Sequence, residues 1–215
     1  ILLVIVYHYF GVMGGYIGVD IFFVISGYLI TSIIISDLNN HSFSFSKFYE
    51  RRARRIFPAL FFVIFATVPF AWLWLLPEDL KNFSRSLYFV AIFSSNILFW
   101  RTSGYFDGDA ELKLLLHTWS LGIEEQYYLL FPALMLLLWR VNKKIIGLTI
   151  ALLLMTSLYF ANLKIAENPM SAFYFLPYRA WELLIGALIA NYDLSNKRKI
   201  GGYWPLQIFS LLGGT

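Results

Sequence analysis

The chain has 215 residues, of which 59% are hydrophobic and only 14% charged, against about 25% charged in an ordinary soluble domain. A soluble globular protein is therefore excluded, and an all-α, polytopic transmembrane helix bundle is expected. The formal net charge of +4 would suit an anionic partner in a soluble protein, but here the basic residues cluster beside apolar runs, which signals topology and no nucleic-acid partner.

The chain opens on ILLVIVYHYF without an initiator Met and closes on LQIFSLLGGT inside another apolar run, so both ends are expected to be cut. The opening run is followed by GGYIGVDIFF with no A-x-A-type cleavage site, so a spanning helix is expected rather than a signal peptide. Further apolar stretches fall at 17–36, 56–76, 118–139, 145–163 and 178–192, near the roughly 20 residues that a span needs. The absence of cysteine removes a disulfide framework, a thiol nucleophile and any Cys-ligated metal.

Three basic clusters are expected on the cytoplasmic side: Lys47 with Arg51, Arg52, Arg54 and Arg55; Arg140 with Lys143 and Lys144; and Lys197 with Arg198 and Lys199. An even number of crossings must separate any two of them. Between the first and second, however, lie three candidates, because SRSLYFVAIFSSNILFW at 84–100 joins 56–76 and 118–139. The middle one carries Arg85 and the run Ser94, Ser95, Asn96, so it is expected to be re-entrant or interfacial, buried where protein satisfies its polar groups. The opening helix then runs outward, GGYIG turns at the outer face, and the helix beginning near Asp20 returns inward.

Ionisable groups in or beside apolar spans are costly and each is a functional candidate. His8, among Tyr7, Tyr9 and Phe10, either hydrogen-bonds a neighbouring helix or acts in chemistry with Asp20, which follows across a glycine-bearing turn. A carboxylate beside an imidazole fixes its tautomer and stabilises its protonated form, as a general base requires. Asp20 can equally cap its own helix.

In HTWSLGIEEQYYLLFP, the residues His117, Ser120, Glu124 and Tyr128 fall at helical spacing on one face and can line one cavity. Glu125 points elsewhere, and the two carboxylates can also simply begin the helix at headgroup level. In FYERRARRIFPAL, the i, i+3 and i, i+4 spacings of Arg51, Arg52, Arg54 and Arg55 let at least two guanidiniums face one ligand. Such forks suit phosphate oxygens, or equally anchor the protein to anionic lipid. Arg179 and Glu182 stand at i, i+3 near the outer entrance of their span and are expected to pair there, with lining of a polar cavity as the second reading.

These strings together are similar to a known family. GGYIGVDIFFVISGYLI at 14–30, FYERRARRIFPAL at 48–60, SGYFDGDAELKLLLHTWSLGIEEQYYLLFP at 103–132 and YRAWELLIGALIA at 178–190 occur in the order that the membrane acyltransferase 3 family shows. The chain resembles that family, the bacterial O-acetyltransferases of lipopolysaccharide O-antigen, peptidoglycan and other surface glycans.

The resemblance implies a bundle of about ten helices in the bacterial inner membrane, using cytoplasmic acetyl-CoA as donor and no metal. The acceptor it implies is a glycan or lipid-linked oligosaccharide. Residues 1–215 would be a partial acyltransferase domain, with further C-terminal helices and any SGNH-type domain outside it. His8 matches the family's first-helix histidine, and the arginine cluster its R-x-x-R motif for acyl-CoA. On this basis His8, with Asp20, Glu124 and Glu125, is expected to act as general base or acyl relay. The four arginines are expected to bind the donor, and His117, Ser120, Tyr128, Arg179 and Glu182 the acceptor. The alternative is a transporter or flippase for a glycan or lipid-linked substrate, which also combines broken helices with buried charge.

Overall fold

The computed structural model describes residues 17–103 and 112–195. His8 and the cluster Lys197, Arg198, Lys199 lie outside the described residues. Among those described there is no strand, and eight α-helices account for the fold: α1 (Ile17–Asn39), α2 (Phe45–Trp74), α3 (Pro77–Ala91), α4 (Ser95–Thr102), α5 (Trp119–Val141), α6 (Ile146–Glu167), α7 (Pro169–Tyr174) and α8 (Leu176–Ser195).

Four helical segments are long and apolar enough to cross a membrane: Ile17–Asn39, Phe45–Trp74, Leu116–Val141 and Lys143–Glu167. The chain is a multi-pass membrane protein. The stretch expected as a span at 178–192 falls in α8, which is 20 residues long but is not among those four. Arg179, Glu182 and Asp193 interrupt its apolar sequence.

Exposure and burial divide the helices. On α2, Phe62, Phe65, Trp72, Leu73 and Trp74 are each more than 70% exposed. At the other extreme, α5 buries Ile123, Tyr127, Tyr128, Phe131 and Met135 and forms the centre of the core.

The tightest packing is between α1 and α8. A Cβ on Gly27 would come 1.9 Å from the Leu183 carbonyl oxygen, and one on Gly186 would come 1.9 Å from that of Val24. Each helix thus lays a glycine on the other's backbone, the small-residue packing that membrane helices use where no hydrophobic force draws them together.

The segment 84–100 is split between two helices. α3 ends at Ala91, Phe93 adopts a left-handed φ of 53°, and α4 starts at Ser95. At 1.5 Å per residue the 15 residues of α3 reach roughly 22 Å, short of the roughly 30 Å hydrocarbon core.

Side chains satisfy the broken backbone. Gln126 donates to the Phe93 carbonyl at 3.3 Å and to Asn96 Oδ1 at 2.9 Å, while Asn96 Nδ2 donates to the Tyr174 carbonyl at 2.9 Å. Ser95 Oγ donates to the Thr118 carbonyl at 2.8 Å. Gly122 leaves room for this knot, because a Cβ there would lie 2.8 Å from Asn96 Oδ1. The polar run that marks the segment in the sequence is thus consumed in holding its break.

Candidate active site

Helix α1 organises the polar groups, presenting Asp20 in its first turn, Ser26 further along and Asp37 in its last turns. Each reaches a different helix: Asp20 meets α8, Ser26 meets α5 and Asp37 meets α2. Asp20 and Asp37 are roughly 25 Å apart along the axis at 1.5 Å per residue, so the three contacts sit at one end, between, and at the other end of the bundle.

At the Asp37 end, the four arginines divide. Arg51 Nη2 pairs with Asp37 Oδ2 at 2.7 Å, and Arg54 pairs with Glu50 at 2.8 Å within its own helix. Arg51, Arg52 and Arg55 line one shallow, open cleft with Ile33 and Phe48. Arg54 does not line it and faces Glu50 on an exposed side of α2. The structure therefore brings three of the four arginines to one site.

Arg52 differs from the other two arginines of the cleft. Its guanidinium lies 4.5 Å from the centre of the Tyr128 ring, a cation–π contact. Tyr128 in turn donates to Glu124 Oε1 at 3.2 Å and shares a hydrogen bond with Ser26 Oγ. Glu124 is 4% exposed and Tyr128 2%. One path of contacts thus leads from the arginine cleft through Arg52 to a buried hydroxyl–carboxylate group between α1 and α5. Glu125 turns to another side, as adjacent helical positions must, and its Oε1 is buried without a hydrogen-bond partner.

His117 lies in a 3₁₀ turn, Leu116–Thr118, that precedes α5, whereas Ser120 lies in the first turn of α5, which begins at Trp119, and keeps its helical spacing to Glu124 and Tyr128. His117 is exposed, and Ser120 Oγ makes a long, 3.4 Å contact back to the His117 carbonyl.

At the Asp20 end, Arg179 is the hub. Its Nη2 donates to Asp20 Oδ1 at 2.6 Å, and its Nε stands 3.2 Å from Glu182 Oε1. Three rings surround the guanidinium, with centres 5.5 Å (Phe23), 5.7 Å (Trp119) and 5.6 Å (Phe173) away. Asp20 thus spends its carboxylate on α8 rather than on a cap of α1; its pairing with His8 lies outside the described residues. The Arg179–Glu182 contact expected from spacing is present, with Asp20 as a third member.

Ser26 and Asp37 escaped the sequence reading. Ser26 was legible only as a polar residue beside Gly27 in an apolar helix, and its partner is 102 positions away. Among the described residues no group of three His, Asp or Glu side chains is placed to hold a metal ion.

Comparison with known proteins agrees with the motifs. Residues 1–215 match the family described as "Acyltransferase domain". The chain is 40% identical over 188 residues to an uncharacterized protein of Haemophilus influenzae, covering 83% of this chain and 76% of that one. It is 36% identical over 198 residues to the peptidoglycan O-acetyltransferase OatA of Listeria monocytogenes, and 36% identical over 199 residues to the putative peptidoglycan O-acetyltransferase YrhL of Bacillus subtilis. Each match covers 88% of this chain but only 32% and 31% of the relative, so the chain spans about a third of those two proteins. No solved structure shows a significant match. With the family matched from end to end, the chain belongs to the acyltransferase 3 family of membrane proteins.

Proposed function

We propose that this chain forms part of a membrane O-acetyltransferase that moves acetyl from cytoplasmic acetyl-CoA to a hydroxyl of a cell-envelope glycan. Family membership and the printed names of the relatives support the chemistry. They also make peptidoglycan the first acceptor to try, with lipopolysaccharide O-antigen and lipid-linked oligosaccharides next. The membrane is the bacterial inner membrane, with the arginine cleft facing the cytoplasm, as the basic clusters suggest.

The observation that carries this reading is Arg52, which belongs to the three-arginine cleft and at the same time contacts Tyr128, itself bonded to the buried Glu124. A phosphate-binding mouth and a buried acid–hydroxyl pair on one path suit a donor whose charged end stays outside while its thioester enters. Arg51, Arg52 and Arg55 hold the CoA phosphates through paired N–H donors.

His8 takes the proton of the acceptor hydroxyl as its oxygen attacks the thioester carbonyl. The carbon–sulfur bond breaks, the proton passes to the thiolate, and CoA leaves as the thiol while the glycan keeps the acetyl ester. In the relay variant, the His8 ring nitrogen accepts the acetyl group first and the glycan oxygen then takes it from there.

The purified full-length protein in detergent tests this directly. With acetyl-CoA and peptidoglycan glycan strands it should release free CoA in proportion to added glycan. No release of CoA when glycan is added would point to the transporter alternative instead.

A further inference from the structure

Glu182 is the least explained polar group of the described structure. Its side chain is 1% exposed and neither carboxylate oxygen has a hydrogen-bond partner. Arg179 Nε is 3.2 Å away but is not aligned to donate, and Nη2 of the same guanidinium is committed to Asp20 at 2.6 Å. Two carboxylates share one cation, so the cluster holds more acceptors than donors. Buried polar groups are almost always satisfied, and a native exception calls for a cause, a functional role among them.

What surrounds Glu182 narrows the ligand. Phe173 is 40% exposed and its ring lies 4.3 Å, centre to centre, from that of Trp119. The side chain of Asp20 is 34% exposed, so the cluster has an open edge beside an aromatic wall. The CoA phosphates are poor candidates, since carboxylates repel them and the arginine cleft is at the other end of α1. A cationic ligand would meet the guanidinium already seated among the rings. A neutral ring that carries several O–H or N–H donors on its edge and C–H bonds on its face meets neither objection.

We propose that Glu182, Arg179 and Asp20, with the Phe173–Trp119 wall, form a sugar subsite for the acceptor glycan. Glu182 accepts hydrogen bonds from two donors of one sugar residue, and Phe173 packs against its C–H face. This rests on the O-acetyltransferase reading and specifies where that enzyme grips its acceptor. Arg179 is a positioning residue: it holds Asp20 and lies beside Glu182 without filling that carboxylate's acceptor sites.

Initial rates of acetyl transfer by the full-length protein, with acetyl-CoA and soluble peptidoglycan glycan strands each varied, test the subsite. Glu182→Gln should raise KM for the glycan strands about tenfold or more, the scale of one lost charged hydrogen bond, while KM for acetyl-CoA stays within about twofold. Phe173→Ala removes a ring that is partly exposed but also packs on Trp119 and Arg179, and should raise the glycan KM several-fold while KM for acetyl-CoA stays within about twofold. A glycan KM equal to wild type in both variants, or a fall in melting temperature or kcat alone, would overturn the subsite and leave the cluster as a helix clamp. If Glu182→Gln does not fold, Phe173→Ala decides. If wild-type protein transfers no acetyl, the activity reading fails separately, and direct binding of the strands decides the subsite: weaker binding by Phe173→Ala upholds it, and no wild-type binding overturns it.

Discussion

Gly186→Ala should unlock the α1–α8 crossing. The added Cβ would sit 1.9 Å from the Val24 carbonyl oxygen, 2.6 Å from the Tyr28 nitrogen and 2.9 Å from the Val24 carbonyl carbon. Ordinary contact begins at 3.4 Å, so the shortfall at the oxygen is 3.4 − 1.9 = 1.5 Å. All three obstacles are backbone atoms, which cannot swing aside as a side-chain tip can, and the helices must separate. Overpacking a core costs about 1–3 kcal/mol, and a radial gap of only about 0.5–1 Å already forfeits a quarter to a half of each dispersion contact. The buried neighbours Phe23, Leu183 and Ala187 would lose contact along the seam. The expected loss is therefore at the top of that range, about 3 kcal/mol, or about two decades in the folding equilibrium.

The assay is denaturant unfolding of the full-length protein in detergent micelles, with Gly147→Ala as control. There the new Cβ meets only Asn191 Nδ2, at 2.9 Å, the end of a side chain that can move. Equal midpoints for the two variants, or a Gly186→Ala protein as stable as wild type, would refute the backbone-contact reasoning.

Other substitutions separate the roles assigned above. Arg55→Ala should raise KM for acetyl-CoA severalfold, whereas Arg54→Ala, which removes only the exposed pair with Glu50, should leave it unaltered; donor titrations check both. Tyr128→Phe keeps the ring under Arg52 but deletes the hydroxyl that bonds Glu124 and Ser26. It should cost about 1–3 kcal/mol in unfolding experiments, because a buried carboxylate loses its donor. Asn96→Leu leaves Gln126 and the Tyr174 carbonyl without their shared partner and should destabilise by a similar amount. The expected sign of that disruption is faster hydrogen exchange at residues 92–96, which unaltered exchange would contradict.

Much of the helical layout was legible because its signals are local. Apolar length marked the spans, and the polar run Ser94, Ser95, Asn96 marked 84–100 as unlike the others. The i, i+3 spacing placed Arg179 beside Glu182. Pairings between distant segments were not legible. Nothing in the spacing of Asp20 points to Arg179, 159 positions on, and nothing in Tyr128 points to Ser26.

The arginine cluster shows the limit of periodicity: several pairs in it share a face, and only the neighbours Asp37, Glu50 and Tyr128 decide which guanidiniums remain for a ligand. His117 illustrates the same limit: a 3₁₀ turn, Leu116–Thr118, separates it from α5, so spacing alone does not fix its direction relative to Glu124.

Transfer of labelled acetyl from acetyl-CoA to peptidoglycan glycan strands by the full-length protein, with wild type and His8→Ala compared at equal expression, tests the central claim most directly. The account predicts label in the glycan with wild type and its loss, by 10² to 10⁴ for a missing general base, with His8→Ala. Undiminished labelling by His8→Ala would contradict the assigned chemistry, and no labelling by wild type would contradict the activity itself.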